Sequence, residues 1–147
     1  MGGCDISNPV LEILIAEDDR GVQALLRTIL TREGCVVECA SDGVQALQSC
    51  LSRRYDLILL DLAMPSASGL DVLRQLEEQG RADVLSRIIV VTAASLNEIA
   101  NVRGVPVLRK PFDLGDLRAA IRRVTGAELP SVAPVNAPPR EEASPPR

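Results

Sequence analysis

The sequence predicts an α/β fold in which a parallel sheet is covered on both faces by helices, and three observations carry that reading. Five short aliphatic runs alternate along the chain with segments whose apolar residues recur at helical spacing. The runs are nearly continuous rather than alternating apolar with polar, as strands buried on both faces are. Several of them stop abruptly at a charged or hydroxyl residue, and the carboxyl ends of the strands are where such sheets hold ligands.

Residues 1–10 read as a flexible lead-in. The first strand, 11–16, carries one acid, Glu12, and stops in Glu17, Asp18 and Asp19. Val22, Leu25, Leu26, Ile29 and Leu30 then follow the i, i+3, i+4, i+7, i+8 spacing of one helical face, which Gly34 ends. A second strand, 35–40, leads into Ser41-Asp42-Gly43 as a turn or cap, and Val44, Leu47, Cys50 and Leu51 line the next helical face. The third strand, 57–60, ends in Asp61. A loop with Met64-Pro65 and Gly69 follows, then a helix with Leu70, Leu73 and Leu76 inward. The fourth strand, 88–91, ends in Thr92, and a short helix is expected over 96–102. The fifth strand, 105–108, runs into Arg109-Lys110-Pro111. Asp113 is placed to cap a last helix with Leu114, Leu117, Ile121 and Val124 on one face. The reading is thus five strands and five helices. Pro106 cannot donate to a ladder and so requires its strand to lie at an edge. A doubly wound order of 2-1-3-4-5, the flavodoxin-like (βα)5 arrangement, provides that edge. The domain is expected to span 11–126. In 127–147 six of 21 residues are proline, which predicts a disordered tail.

Composition narrows the function. Tyr55 and Phe112 are the only aromatics, so the core is aliphatic and stacking platforms for single-stranded nucleic acid are missing. The net charge of −4 comes without a Lys/Arg-rich run, which speaks against a nucleic-acid surface. Histidine is absent and Cys4, Cys35, Cys39 and Cys50 form no CxxC pair, so a zinc site of Cys/His type is not expected. Cys35, Cys39 and Cys50 read as small core hydrophobes of a reduced, cytoplasmic protein. No leader and no bilayer-spanning run is evident in the sequence, so no membrane partner is expected.

With the strands ordered as above, Glu17, Asp18, Asp61, Thr92 and Lys110 converge at one end of the sheet. Three carboxylates brought together repel one another, and a cation relieves that repulsion. All-oxygen ligation favours a hard ion such as Mg²⁺. Lys110 adds a second positive charge for phosphoryl oxygens and the Thr92 hydroxyl a hydrogen-bond donor. Taken singly each residue has a plain reading. The Glu17-Asp18-Asp19 run can cap a helix, Asp61 can be a turn residue, Thr92 structural, and Lys110 a solvated charge. Their joint occurrence at successive strand ends points to phosphoryl chemistry.

At ILIAEDD (13–19), LILLDLAMPSASGLDVL (57–73), IIVVTA (88–93) and VLRKPF (107–112) the chain resembles the response-regulator receiver domain of two-component signalling, single-domain chemotaxis regulators included. The resemblance covers roughly residues 11–126. It implies that Asp61 is the phosphoacceptor. Asp18 and Asp61 would bind Mg²⁺ directly, Glu17 through water, and the backbone carbonyl of Ala63 would be a further ligand. Thr92 would sense the phosphoryl group, Lys110 would pair with it, the Lys110–Pro111 peptide would be cis, and the small Ala93 would leave access. The chain departs from the family at Val107, where many receivers have Tyr or Phe. The stretch from Thr92 to Lys110 is also short, so the fourth helix is expected to be about one turn, roughly 5 Å, shorter than usual. Ala63 and Ala94 stand where receivers tune phosphoryl lifetime, and neither has a polar group to orient water, which predicts slow self-dephosphorylation.

The leading expectation is therefore a stand-alone phosphorelay receiver, not an enzyme. A sensor histidine kinase or phosphotransfer protein would phosphorylate it. It would signal to a downstream protein through its fourth helix, fifth strand and last helix, with no DNA-binding output domain. The alternative is a receiver-fold interaction module indifferent to phosphorylation, favoured by Val107 and the short fourth helix. A Mg²⁺-dependent phosphohydrolase is disfavoured, because no histidine and no second Asp two residues after Asp61 offers a general acid or base.

Overall fold

The computed structural model describes residues 10–100, 102 and 104–127; the expected tail, past Ala127, and the lead-in, before Val10, lie outside them. In chain order the elements are β1 (Glu12–Ala16), α1 (Arg20–Arg32), β2 (Val36–Ala40), α2 (Gly43–Ser52), β3 (Leu57–Leu60) and α3 (Gly69–Glu78). They continue with α4 (Ala82–Leu85), β4 (Ile88–Thr92), α5 (Leu96–Ile99), β5 (Val107–Arg109) and α6 (Leu114–Thr125). All strand pairs are parallel and the order is β2-β1-β3-β4-β5, as expected. The register sets Ala16 beside both Ala40 and Leu60, and Thr92 beside Arg109, so the carboxyl ends of the strands are level.

Alternate residues of each central strand enter opposite cores, which is the two-residue period of a sheet buried on both faces. Leu14, Ala16, Ile58, Leu60, Ile88 and Val90 pack with α2 and α3 through Ala46, Cys50, Val72 and Leu76. Ile13, Ile15, Leu57, Leu59, Ile89 and Val91 pack with α1 and α6 through Leu26, Leu30, Leu117 and Ile121. Tyr55 is the one aromatic fully inside; Phe112 is half-buried. Cys35 and Cys50 are buried and Cys39 half-buried.

The helix starts follow local chemistry. Asp19, Asp42 and Asp113 cap α1, α2 and α6 by accepting from the amides of Val22, Gln45 and Asp116. Ser68 and Asp71 close a capping box on α3.

Several expectations are corrected. Among the described residues there are six helical segments, because Arg81 opens a single extra turn, α4, that buries Val84. The helix expected over 96–102 closes after Ile99. The fifth strand starts at Val107, so Pro106 precedes it; the Pro106 carbonyl accepts from Val90 at 2.9 Å, on the edge strand. Leu25, Val44 and Leu114 are exposed rather than inward. In α2 the cause is Gly43: a Cβ there would lie 1.8 Å from the Ala67 carbonyl oxygen. The helix presents its small residues Gly43, Ala46 and Cys50 to its neighbours, which turns Val44 outward. Leu25 and Leu114 flank the stripes Leu26–Leu30 and Leu117–Ile121 that meet the sheet.

Candidate functional site

Backbone pairing builds the site. The Glu17 amide donates to the Ala40 carbonyl and the Asp61 amide to the Ala16 carbonyl, both at 3.0 Å, so the ends of β1, β2 and β3 are tied side by side. The Lys110 amide donates to the Thr92 carbonyl at 2.9 Å, which sets the residue after β5 against the end of β4. All five residues expected at the strand ends are therefore on one edge of the sheet.

The side chains of Glu17, Asp61 and Lys110 form one hydrogen-bonded group. Lys110 Nζ donates to Glu17 Oε1 at 2.7 Å and to Asp61 Oδ2 at 3.1 Å. The Asp19 amide donates to Glu17 Oε2 at 3.2 Å, and the Ala63 amide to Asp61 Oδ1 at 3.2 Å. Glu17 and Asp61 are buried, at 2% and 5% exposure, whereas Asp18 faces solvent. Thr92 is fully buried, and its Oγ1 accepts from the Ala94 amide at 3.0 Å. The Lys110–Pro111 peptide is cis, as the resemblance implies.

Burial pushes the Glu17 carboxyl above the usual carboxylate range. The Lys110 hydrogen bond opposes that rise and neighbouring Asp61 adds to it. Burial pulls the Lys110 ammonium down, but the hydrogen bonds and charges of Glu17 and Asp61 outweigh it and hold lysine above its ordinary value. Two buried acids thus share one firmly charged base.

One carboxylate oxygen each from Glu17, Asp18 and Asp61 lies within 4.8 Å of the others. Three oxygens of net negative charge, one solvent-facing, fit a hard divalent cation that keeps some of its waters. Ala63 stands next to this group through its amide and is exposed.

Gly69 was legible in the sequence only as a loop glycine, yet it shapes the site. A Cβ there would stand 2.3 Å from the Asp61 carbonyl oxygen, and its amide donates to Leu62. Ser66 supports the same loop with φ of 69°, a left-handed conformation uncommon for a residue with a side chain. A cavity of about 730 Å³ lies away from this chemistry, bordered by Leu70, Leu73, Leu85, Val102 and Val105.

A response regulator receiver domain family model matches residues 13–122. The chain is 38% identical to response regulator protein PmrA of Pseudomonas aeruginosa over 132 residues, covering 83% of this chain and 58% of that protein. It is 38% identical to response regulator MprA of Mycobacterium tuberculosis over 128 residues, covering 84% and 54%. The chain thus spans just over half the length of these curated relatives. Among solved structures, the receiver domain of a Pseudomonas aeruginosa sensor histidine kinase, with a magnesium ion coordinated in its active-site cleft, aligns with a TM-score of 0.71 at 30% identity. It covers 80% of this chain and 99% of that one. Thermotoga maritima response regulator TrrA in complex with Mg²⁺-BeF aligns with a TM-score of 0.68 at 27% identity, covering 78% and 99%. With the family model spanning the sheet and every strand end that builds the site, the chain belongs to the response regulator receiver domain family.

Proposed function

We propose that this protein is a phosphoacceptor receiver, phosphorylated on Asp61 by a sensor histidine kinase or phosphotransfer protein, and that it signals through protein–protein contacts. The observation that carries this reading is the buried Asp61 carboxylate held between the Ala63 amide and the Lys110 ammonium. These two donors fix the orientation of the carboxylate. An Asp61 oxygen attacks phosphorus, the bond from phosphorus to the donor breaks, and that electron pair leaves with the donor. The product is an acyl phosphate on Asp61. Lys110 is positioned to pair with a phosphoryl oxygen. Among the described residues nothing accepts the Thr92 hydroxyl hydrogen, so it is available to donate to another.

Glu17, Asp18, Asp61 and the Ala63 carbonyl would hold Mg²⁺. Bound there, the ion supplies charge that screens the carboxylates from incoming phosphoryl oxygens. The chain receives a phosphoryl group rather than turning over a substrate. No described helix is long and apolar enough to cross a membrane, and Cys35, Cys39 and Cys50 are free thiols, which supports a cytoplasmic setting. Residues 11–126 serve as the receiver unit in this reading.

The output surface is α5, β5 and α6. Thr92 connects to it through Ala94, which packs in one cluster with Val102, Val105 and Val107. The test is amide NMR with Mg²⁺ and a small acyl phosphate. Shifts in residues 94–109 are expected. Phosphorylation without such shifts favours the alternative of an interaction module, for which the single-turn α5 is the specific observation.

A further inference from the structure

At the opposite end of β3 and β4 from Asp61 lies a cleft of about 350 Å³ whose lining includes Arg53, Arg54, Arg81 and Arg87. Asp83 is the one acid among its lining residues, in a chain whose net charge is −4. The strand between the two ends is short, so the cleft and Asp61 are separated by roughly 13 Å of β3.

The four guanidiniums are not equivalent. Arg53 is fixed as a wall: it pairs with Glu12 at 2.9 Å and with Glu38, and lies over the Tyr55 ring at 5.3 Å. Arg81 spends two of its donors on Asp83, at 3.1 Å each. Arg54 has one contact at 3.3 Å, to Asp56, and its side chain is 68% exposed. Arg87 has no carboxylate partner among the described residues, although it is half-buried. Its carbonyl and amide are both used, by Ile58 and Val84, so its backbone is held at the mouth of β4. Ile58, Leu51 and Val84 give the cleft an apolar wall.

We propose that this cleft binds the diphosphate group of a small molecule, with Arg87 and Arg54 as the two forks, Arg54 exchanging its single contact with Asp56 for the ligand. Guanidinium forks match phosphate oxygens in pairs, and a site of a few hundred Å³ holds a small ligand rather than a macromolecular surface. The apolar wall would take an organic group attached to the diphosphate.

The test is calorimetric titration of the full chain with inorganic pyrophosphate, and separately with a nucleoside diphosphate, in buffer free of divalent cations. Saturable binding of one equivalent is expected. Arg87→Gln and Arg54→Gln should each weaken it about tenfold. Tighter binding of the nucleoside diphosphate assigns the ligand to a phosphate ester, and equal binding to free pyrophosphate. The absence of saturable binding overturns the proposal. So does binding that survives both arginine changes.

Discussion

The ammonium of Lys110 lies 3.1 Å from Asp61 Oδ2, across 49 residues of sequence, and the same ammonium holds Glu17 at 2.7 Å. Without a metal, this lysine is the counter-charge of two buried acids. Lys110→Met should therefore leave both uncompensated and cost about 3 kcal/mol of stability. Mg²⁺ should restore much of that loss and should bind the variant more tightly than the wild type, because a competing positive charge is gone. Thermal unfolding of both proteins with and without Mg²⁺ checks this.

Gly69→Ala should damage the site without touching any ionisable group. The added Cβ would meet the Asp61 carbonyl oxygen at 2.3 Å, and because that atom is backbone the loop after β3 must move. A loss of about 2 kcal/mol or more is expected. Weaker Mg²⁺ binding should accompany it, read by denaturant unfolding and by metal titration.

Much of this architecture is legible in the sequence because its signals are strong and local. The run 57–60 is bounded by Asp56 and Asp61, and the strand has those limits. The rule that ligands sit at strand carboxyl ends brought Glu17, Asp18, Asp61, Thr92 and Lys110 together across long separations. What was not legible depends on tertiary contact. Periodicity put Val44 inward, but the Ala67 backbone packs on Gly43 and turns the helix. The four-residue α4 is too short for a periodic signal, and the demand on Gly69 exists only where Asp61 folds against it.

Glu33 and Arg118 join the end of α1 to α6 at 2.5 Å, with Glu33 6% exposed. Among the described residues Glu33 Oε1 and Arg118 Nε have no hydrogen-bond partner. Arg118→Leu should destabilise by about 2–4 kcal/mol by stranding the carboxylate. Adding Glu33→Leu should recover most of it, since a hydrophobic pair of similar volume costs little. A double-mutant cycle from urea denaturation measures the difference.

Burial pushes the Cys35 and Cys50 thiols up to about 11 from an ordinary value of 9.0. At pH 8 both are protonated, and native protein should resist alkylation there. Because the folded state holds these protons more tightly, the stability they confer is complete below about pH 9. It is lost as pH rises towards 11. Alkylation followed by mass spectrometry, and unfolding curves across that window, test both statements.

Neither Ala63 nor Ala94 offers a polar side chain to hold a water in line with the acyl phosphate. The phosphorylated protein should persist for minutes or longer, and Ala63→Asn should shorten that lifetime; a lifetime of seconds in the wild type would refute it.

The most direct measurement is of Asp61 itself. Incubated with Mg²⁺ and a small acyl phosphate, the wild-type chain should gain the mass of one phosphoryl group, and Asp61→Asn should gain none. A wild-type chain that gains no mass, or an Asp61→Asn chain that still does, would contradict the assignment of Asp61 as the phosphoacceptor.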